Sequence, residues 1–491
     1  MRASEHTNPN GSGPNGSAST GDNASSAGWS PESWRTRPVA HDVDYPDADA
    51  VTKVFGRLRD FPPLVTSWEI ERLKSLLAEA EEGKRILLQG GDCAETLADC
   101  RPDSITSKLK ILLQMSLVLV HGTHRPVVRV GRFAGQYAKP RSSAEETADS
   151  ASGAPLTLPS YFGDLINASS FEAGARKPDP ERLITGYQHA ALTLNFIRSL
   201  LEGGFADLHH PEYWNLSFLG SADLPTERSE AYDRLSRELA SALKFMEALG
   251  EQAVDELSRV EFFTSHEGLN LLYESAQTRR VPHREGWYNL TTHLPWIGER
   301  TRALDGAHIE FFRGIRNPVG VKLGPKSTGA DAVALSVTLN PQNEPGKLVF
   351  ITRLGAGKAA ERLPELVGAM ERSGRRCLWV SDPMHGNTVT VDTQGAPVKT
   401  RRFDDILQEL EETIETHKRL GSVLGGAHFE MTGEDVTECV GGASGVTADT
   451  LAENYASPCD PRLNYQQAME LAFLLAGRIE PRPASAPSAS K

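Results

Sequence analysis

The chain has 491 residues, 39% of them hydrophobic and 24% charged, a composition that belongs to soluble globular proteins and a length that holds either one elaborated barrel or several domains. A formal net charge of −13 excludes recognition of nucleic acid or an anionic membrane through the overall field, so any anionic ligand must meet a local cluster of Arg and Lys. Five cysteines, Cys93, Cys100, Cys377, Cys439 and Cys459, form no CxxC pair and are too sparse and odd in number for a disulfide framework. They predict a reducing cytoplasm, and the lack of a long apolar run predicts no membrane segment.

In chain order, residues 1–28 are rich in Ser, Gly and Asn without an apolar signal segment, and are expected to form a disordered tail, like the Ala/Pro/Ser-rich end 481–491. Residues 29–84 read as an N-terminal extension: a Pro-punctuated arm, a helical pattern over 51–58, and a second helix N-capped by Ser67. From 85 to 480 one grammar repeats, a short apolar strand, a polar residue at its end, then a helix. Strands are expected at 86–89, 127–130, 260–263, 287–290, 319–323, 348–353, 377–380 and 427–430. Helical periodicity recurs at 105–120, 331–339, 359–372, 403–420 and 464–477. Eight such units are what a closed (β/α)8 TIM barrel requires. The stretch after the second strand is too long for one crossover helix and carries two helical patterns, 181–201 and 229–249. A helical insertion over about 143–258 is therefore expected, serving an interface or a regulatory site.

In a parallel barrel the chemistry is built at the carboxyl rim of the strands. The sequence places metal-capable groups there, Cys93, His385 and Glu430, with Asp460 in the loop beyond the eighth strand. It also places the cations Arg132, Arg300, Lys322 and Arg353, with Lys139, Arg141 and Ser142 close behind. Singly, each has an ordinary structural explanation: a cysteine after a strand is commonly a small core residue, and a strand-end Arg a solvated charge. As a set, a divalent cation beside several basic groups makes sense when anions lie between them. That suits a doubly anionic or phosphorylated substrate, with guanidinium forks on its oxygens and a metal polarising a carbonyl. No HxH, HExxH or GxSxG occurs, which disfavours the common barrel metallohydrolases, zincins and serine hydrolases.

The motifs GGDCAE (90–95), GRFAGQYAKPRS (131–142), WIGERTR (296–302), NPVGVKLGP (317–325), DPMHGNT (382–388), HFEMTGEDVTECVGG (428–442) and CDPRLN (459–464) resemble those of the class II, plant-like, 3-deoxy-D-arabino-heptulosonate 7-phosphate (DAHP) synthases. The resemblance spans residues 34–478. It implies a transferase of the first shikimate-pathway step, in which phosphoenolpyruvate, D-erythrose 4-phosphate and water give DAHP and phosphate. It implies metal ligands at Cys93, His385, Glu430 and Asp460, phosphoenolpyruvate contacts at Arg132, Glu299, Arg300, Lys322 and Arg353, and erythrose 4-phosphate contacts at Lys139, Arg141 and Ser142. Glu299, Arg300, Lys322, His385 and Glu430 are the catalytic candidates, and whether Glu299 or Glu430 acts as base stays open. The mixed shell admits Mn, Co, Fe or Zn, manganese being the ion that the resemblance favours. A homo-oligomer and control by aromatic amino acids are also implied.

Three alternatives stand beside this reading: an aminoDAHP synthase of an aminoshikimate antibiotic route, a metal-dependent hydrolase on a similar barrel, and a non-catalytic barrel acting as partner or sensor. Cys459 adjoins Asp460, so a disulfide with Cys93 in the metal-free protein is weighed against Cys459 simply packing under its loop.

Overall fold

A computed structural model describes residues 28–149, 155–203, 260–393 and 396–479, together with Arg234, Arg237 and Ser241. Its strands are β1 (Ile86–Gly91), β2 (Val127–Arg132), β3 (Glu145–Asp149), β4 (Pro155–Pro159), β5 (Phe262–Thr264), β6 (Thr278–Arg279), β7 (Tyr288–Asn289), β8 (Trp296–Ile297), β9 (Val319–Leu323), β10 (Leu348–Thr352), β11 (Leu378–Ser381), β12 (Thr388–Thr393), β13 (Ala396–Arg401) and β14 (Leu424–Glu430). Eight of them pair in parallel in the order β5-β2-β1-β14-β11-β10-β9-β8. The two edges meet just beyond β5: Glu267 bridges Trp296 in parallel, the Trp296 N–H donates to the His266 carbonyl at 3.0 Å, and the Gly268 N–H donates to the Trp296 carbonyl at 3.0 Å. The sheet thus curls into a (β/α)8 barrel.

The helices flanking the strands follow from apolar stripes at helical spacing. They include Pro102–Thr123, Gly329–Leu339, Ala359–Arg372, Phe403–Leu420 and Tyr465–Arg478. The first begins with Pro at its opening position and stops where His124 turns left-handed, at φ 54°. The barrel floor is closed by the helix Ser67–Glu81 of the N-terminal extension, whose Leu73, Leu76, Leu77 and Ala80 join Val128, Val130, Val349, Ile351 and Val380 in one buried cluster. Thr66, not Ser67, caps this helix. Its hydroxyl accepts from the Glu69 N–H, and the Glu69 carboxylate accepts from the Thr66 N–H at 2.7 Å, a reciprocal T-x-x-E box.

The fourth barrel strand differs from the expected one. Trp296–Ile297 supplies it in place of the run 287–290, while β7 pairs antiparallel with β6 in a separate ribbon. Polar commitments decide the matter. The Asn289 amide donates to Glu274 at 2.7 Å, its N–H donates to Asn317 at 2.9 Å, and the Leu290 carbonyl accepts from Leu64 and Val65 of the extension. Tyr288 and Leu290 of that run are buried in one cluster with Val54, Leu58, Leu64, Val65 and Ile70 of the extension.

Of the insertion after β2, the structure describes the β3–β4 hairpin and the helices Ala173–Arg176 and Glu181–Glu202. The expected helix over 229–249 lies outside the described residues except for Arg234, Arg237 and Ser241, which are helical, and so do the expected tails, Gly28 apart. A second hairpin, β12–β13, rises from the loop after β11 and brings Thr388 and Lys399 to the carboxyl rim. Among the described residues no helix is long and apolar enough to cross a membrane.

Candidate active site

The carboxyl rim encloses a cavity of about 220 Å³ into which the strand ends converge. Cys93 follows β1, Arg132 ends β2, Glu299 and Arg300 follow β8, Lys322 lies in β9, Arg353 follows β10, His385 follows β11, and Asp460 arrives from the loop after β14. Glu430, the last residue of β14, is fully buried beneath them.

Three of the four expected ligands are gathered within mutual reach, and the fourth, His385, adjoins one of them, Glu430. The Cys93 Sγ and carboxylate oxygens of Glu430 and Asp460 all lie within 4.8 Å of one another. His385 Nε2 faces Glu430 Oε1 at 2.9 Å, while its Nδ1 lies 2.7 Å from Asp382 Oδ2. With Nδ1–H donating to the Asp382 carboxylate, Nε2 is the nitrogen left for a metal. The Lys139 ammonium lies among these groups, 2.6 Å from Cys93 Sγ, 2.8 Å from Asp460 Oδ2 and 3.8 Å from Glu430 Oε1, so the cluster already stabilises positive charge. The sulfur and two carboxylates of this group, with the His385 nitrogen beside Glu430, make a donor set suited to a divalent transition metal.

Charge balance explains why such a cluster survives burial. Desolvation works against the Glu430 anion, but His385, Arg401, Lys139 and Arg132 outweigh it and hold the carboxyl well below the usual range. Arg132 Nη2 lies 2.9 Å from Oε1 and Arg401 Nη2 lies 2.7 Å from Oε2. Desolvation also opposes the Asp382 anion, and the pairing with His385 and Lys322 overcomes it. For Asp460 the Lys139 charge leads, lowering its pKa against burial. Burial pushes the Cys93 thiol up, so metal binding must displace a proton. Cys93 and Cys459 are both reduced and share one small buried cluster with Ala94 and Tyr161.

The expected anion-binding residues divide into two groups. Arg132, Lys322 and Arg353 reach the cavity: the Arg132 guanidinium lies 5.0 Å from the Trp296 ring centroid, Lys322 pairs with Asp382, and Arg353 Nη2 donates to the His385 carbonyl at 2.5 Å. Arg300 lines the same cavity at its exposed mouth, where its Nη2 donates to Ser142 Oγ at 3.1 Å. The expected trio Lys139, Arg141 and Ser142 is split. Lys139 sits in the metal-capable cluster, whereas Arg141 pairs with Glu146 at 2.7 Å and neither it nor Ser142 lines the cavity. Glu299 is already engaged, accepting from the Gly324 N–H at 2.7 Å and from Arg302 Nη2 at 3.1 Å.

Several residues at the site are not evident from the sequence. Gln136, Glu267, Thr388 and Lys399 also line the cavity, Arg401 grips Glu430 from β13, and Asp382 orients His385. In the sequence Asp382 marks the end of a strand, and its position three residues before His385 is the signal that could have found its second role. Replacing Asp382 by Asn is expected to weaken divalent-metal affinity by about 10- to 100-fold, measured by competition with a chromophoric chelator. Unchanged affinity would show that the Nδ1 contact does not orient the ligand.

Residues 29–476 match the model of the Class-II DAHP synthetase family. Among curated relatives, the phospho-2-dehydro-3-deoxyheptonate aldolase of Neurospora crassa is 46% identical over 468 residues, covering 92% of this chain and 94% of its own length. The protein of that name from Streptomyces coelicolor is 47% identical over 455 residues, covering 92% of this chain and 98% of its own. The one from Mycolicibacterium smegmatis is 44% identical over 435 residues, covering 88% and 90%. The chain belongs to the Class-II DAHP synthetase family.

Proposed function

We propose that this chain condenses phosphoenolpyruvate with D-erythrose 4-phosphate and water to give DAHP and inorganic phosphate, as a cytoplasmic transferase at the entry to chorismate and aromatic amino acid synthesis. The observation that carries this reading is the convergence in one cavity of a cluster suited to a divalent metal with Arg132, Lys322 and Arg353. The enol phosphate is the partner for those three cations, which hold its carboxylate and phosphate so that C3 faces the aldehyde, an entropic gain. Arg300, at the mouth of the same cavity, is proposed as a further phosphoenolpyruvate contact, and Ser142, which it touches, with Arg141 as contacts for the phosphate of the sugar. Cys93, His385, Glu430 and Asp460 would hold a divalent metal, manganese in this proposal with Co, Fe or Zn also fitting the shell, and when bound it would supply Lewis acidity toward the aldehyde. Glu299 positions the Gly324 backbone beside Lys322. The insertion after β2 is proposed to carry a homo-oligomer interface and feedback control by aromatic amino acids.

Purified protein with manganese should consume phosphoenolpyruvate, followed by its ultraviolet absorbance, only when erythrose 4-phosphate is present. Consumption with an amino-sugar phosphate alone would move the assignment to the amino analogue, and consumption without any acceptor would make the protein a hydrolase. Adding tryptophan, phenylalanine and tyrosine, singly and together, tests the regulatory part: a rate indifferent to every combination leaves the insertion a structural role.

Lys322 gives a pH signature. Burial lowers its pKa to about 8 despite the opposing pull of Asp382. Its positive charge is therefore present below that value and lost as pH rises through it. Since kcat/KM reports the free enzyme, kcat/KM for phosphoenolpyruvate should fall above about pH 8, approaching tenfold per pH unit. Lys322→Arg, charged throughout, should flatten this limb; a wild-type profile level to about pH 9.5 would remove Lys322 from anion binding.

A further inference from the structure

The condensation adds water to C2 of the enol phosphate, so a proton must leave that water, and three other carboxylates of the site are committed elsewhere. Glu430 is gripped by Arg132 and Arg401, Glu299 by Gly324 and Arg302, and Asp460 by Lys139. Glu267 is different. It stands at the barrel seam, just past β5, where its backbone bridges Trp296 and its N–H donates to Gln136 Oε1 at 2.8 Å. Its carboxyl lines the cavity, and its Oε1 is closed to solvent without a hydrogen-bond partner among the described residues.

The neighbouring backbone is shaped to admit this carboxyl. A Cβ on Gly298 would lie 2.0 Å from Glu267 Oε1, so the glycine immediately before Glu299 and Arg300 leaves the space the carboxyl uses. A buried polar atom without a partner is costly and is retained where something else completes it. The cations facing Glu267 are Arg132 from β2, Lys139 from the loop after β2, Lys322 from β9 and His385 from the loop after β11. Burial raises its pKa and these charges pull it back, which makes it a stronger base than the tightly held Glu430.

We propose that Glu267 is a further catalytic residue, the carboxylate that holds the attacking water in the cavity and takes its proton as the water oxygen bonds to C2. The electron pair of the C2=C3 bond forms the new bond from C3 to the aldehyde carbon, and the aldehyde oxygen, as its carbonyl opens, takes from solvent one proton, which balances the one that Glu267 later releases. Water supplies the oxygen at C2 and leaves one proton on Glu267. When the C2–O bond to phosphate breaks, the C2 hydroxyl loses its proton to the departing phosphate, and Glu267 returns its own to solvent. This role rests on the proposed condensation.

The test uses full-length, manganese-loaded enzyme and the near-isosteric Glu267→Gln, which keeps the shape at Gly298 but cannot accept a proton. The expected result is a fall in kcat of at least about 100-fold, with KM for phosphoenolpyruvate and manganese affinity within about threefold of wild type. The limb of the kcat profile that falls toward low pH should also disappear. A kcat within about threefold of wild type, or a raised KM with kcat preserved, overturns the role. Should the Gln variant fail to fold, Glu267→Asp is read in its place: kcat lowered with KM unchanged supports the role, and unchanged kcat overturns it. Wild-type enzyme that does not turn over the two substrates defeats the condensation itself, whereas an active wild type with an equally active Gln variant defeats only Glu267.

Discussion

A buried carboxylate, Glu430, sets the terms for the carboxyl rim of this barrel. An anion shut away from water costs several kcal/mol unless it is paired on all sides. Here the pairing comes from four separate places: Arg132 at the end of β2, Lys139 in the loop beyond, His385 after β11 and Arg401 on β13. Meeting that demand brings a hairpin, two loops and the end of β2, two places away in the sheet, toward one point. The same convergence leaves Glu430 Oε1 among a thiol, an imidazole and a second carboxylate, and Arg132 beside Lys322 and Arg353 in the cavity. Fold stability and site chemistry therefore draw on one charge arrangement, and a change to either Arg132 or Arg401 must affect both.

Carboxylates also hold the loops that carry these groups. Glu95 accepts from the N–H groups of Ala134, Gly135 and Gln136, fastening the loop after β2 to the loop after β1. Glu409 accepts from the Leu354 N–H at 2.6 Å and the Asn387 amide at 2.8 Å, fastening the loops beside Arg353 and His385. Burial raises both to about 7. Asp92, next to Cys93, is reached by Lys108 at 2.5 Å and Arg462 at 2.7 Å, and Arg462 in turn pairs with Glu438 at 2.9 Å, so the segments carrying Cys93 and Asp460 share one buried network. Loops fixed in this way present ligands in a nearly set geometry, which a metal site and an oriented two-substrate reaction both need.

Much of this arrangement is legible in the sequence because a parallel barrel turns position along the chain into position in space. A polar residue directly after a buried apolar run must stand at the carboxyl rim, which is why the chain order alone collects Cys93, Arg132, Lys322, Arg353, His385 and Glu430. The residues that chain order does not reveal arrive by other routes. Lys399 and Arg401 reach the rim on β13, one strand of a polar hairpin whose only sequence mark is alternation. Glu267 sits past a strand whose closing partner, Trp296–Ile297, is only two residues long and is outweighed in the sequence by the longer apolar run at 287–290. That run lies outside the barrel because its side-chain amides and carbonyls are claimed by Glu274, Asn317 and the N-terminal extension, interactions between segments that local periodicity does not report. The Lys139, Arg141 and Ser142 segment reaches the rim, yet its side chains part company because Glu146, on the following hairpin, claims Arg141.

The central claim is that one ion is held by a thiolate from the first barrel strand's loop together with His385, Glu430 and Asp460. Its most direct test is the optical spectrum of the cobalt-loaded protein, in which a coordinated thiolate gives a ligand-to-metal charge-transfer band in the near ultraviolet. The band should be present in wild type, vanish in Cys93→Ser and persist in Cys459→Ser; a cobalt spectrum without it, or one unchanged by Cys93→Ser, would contradict the account.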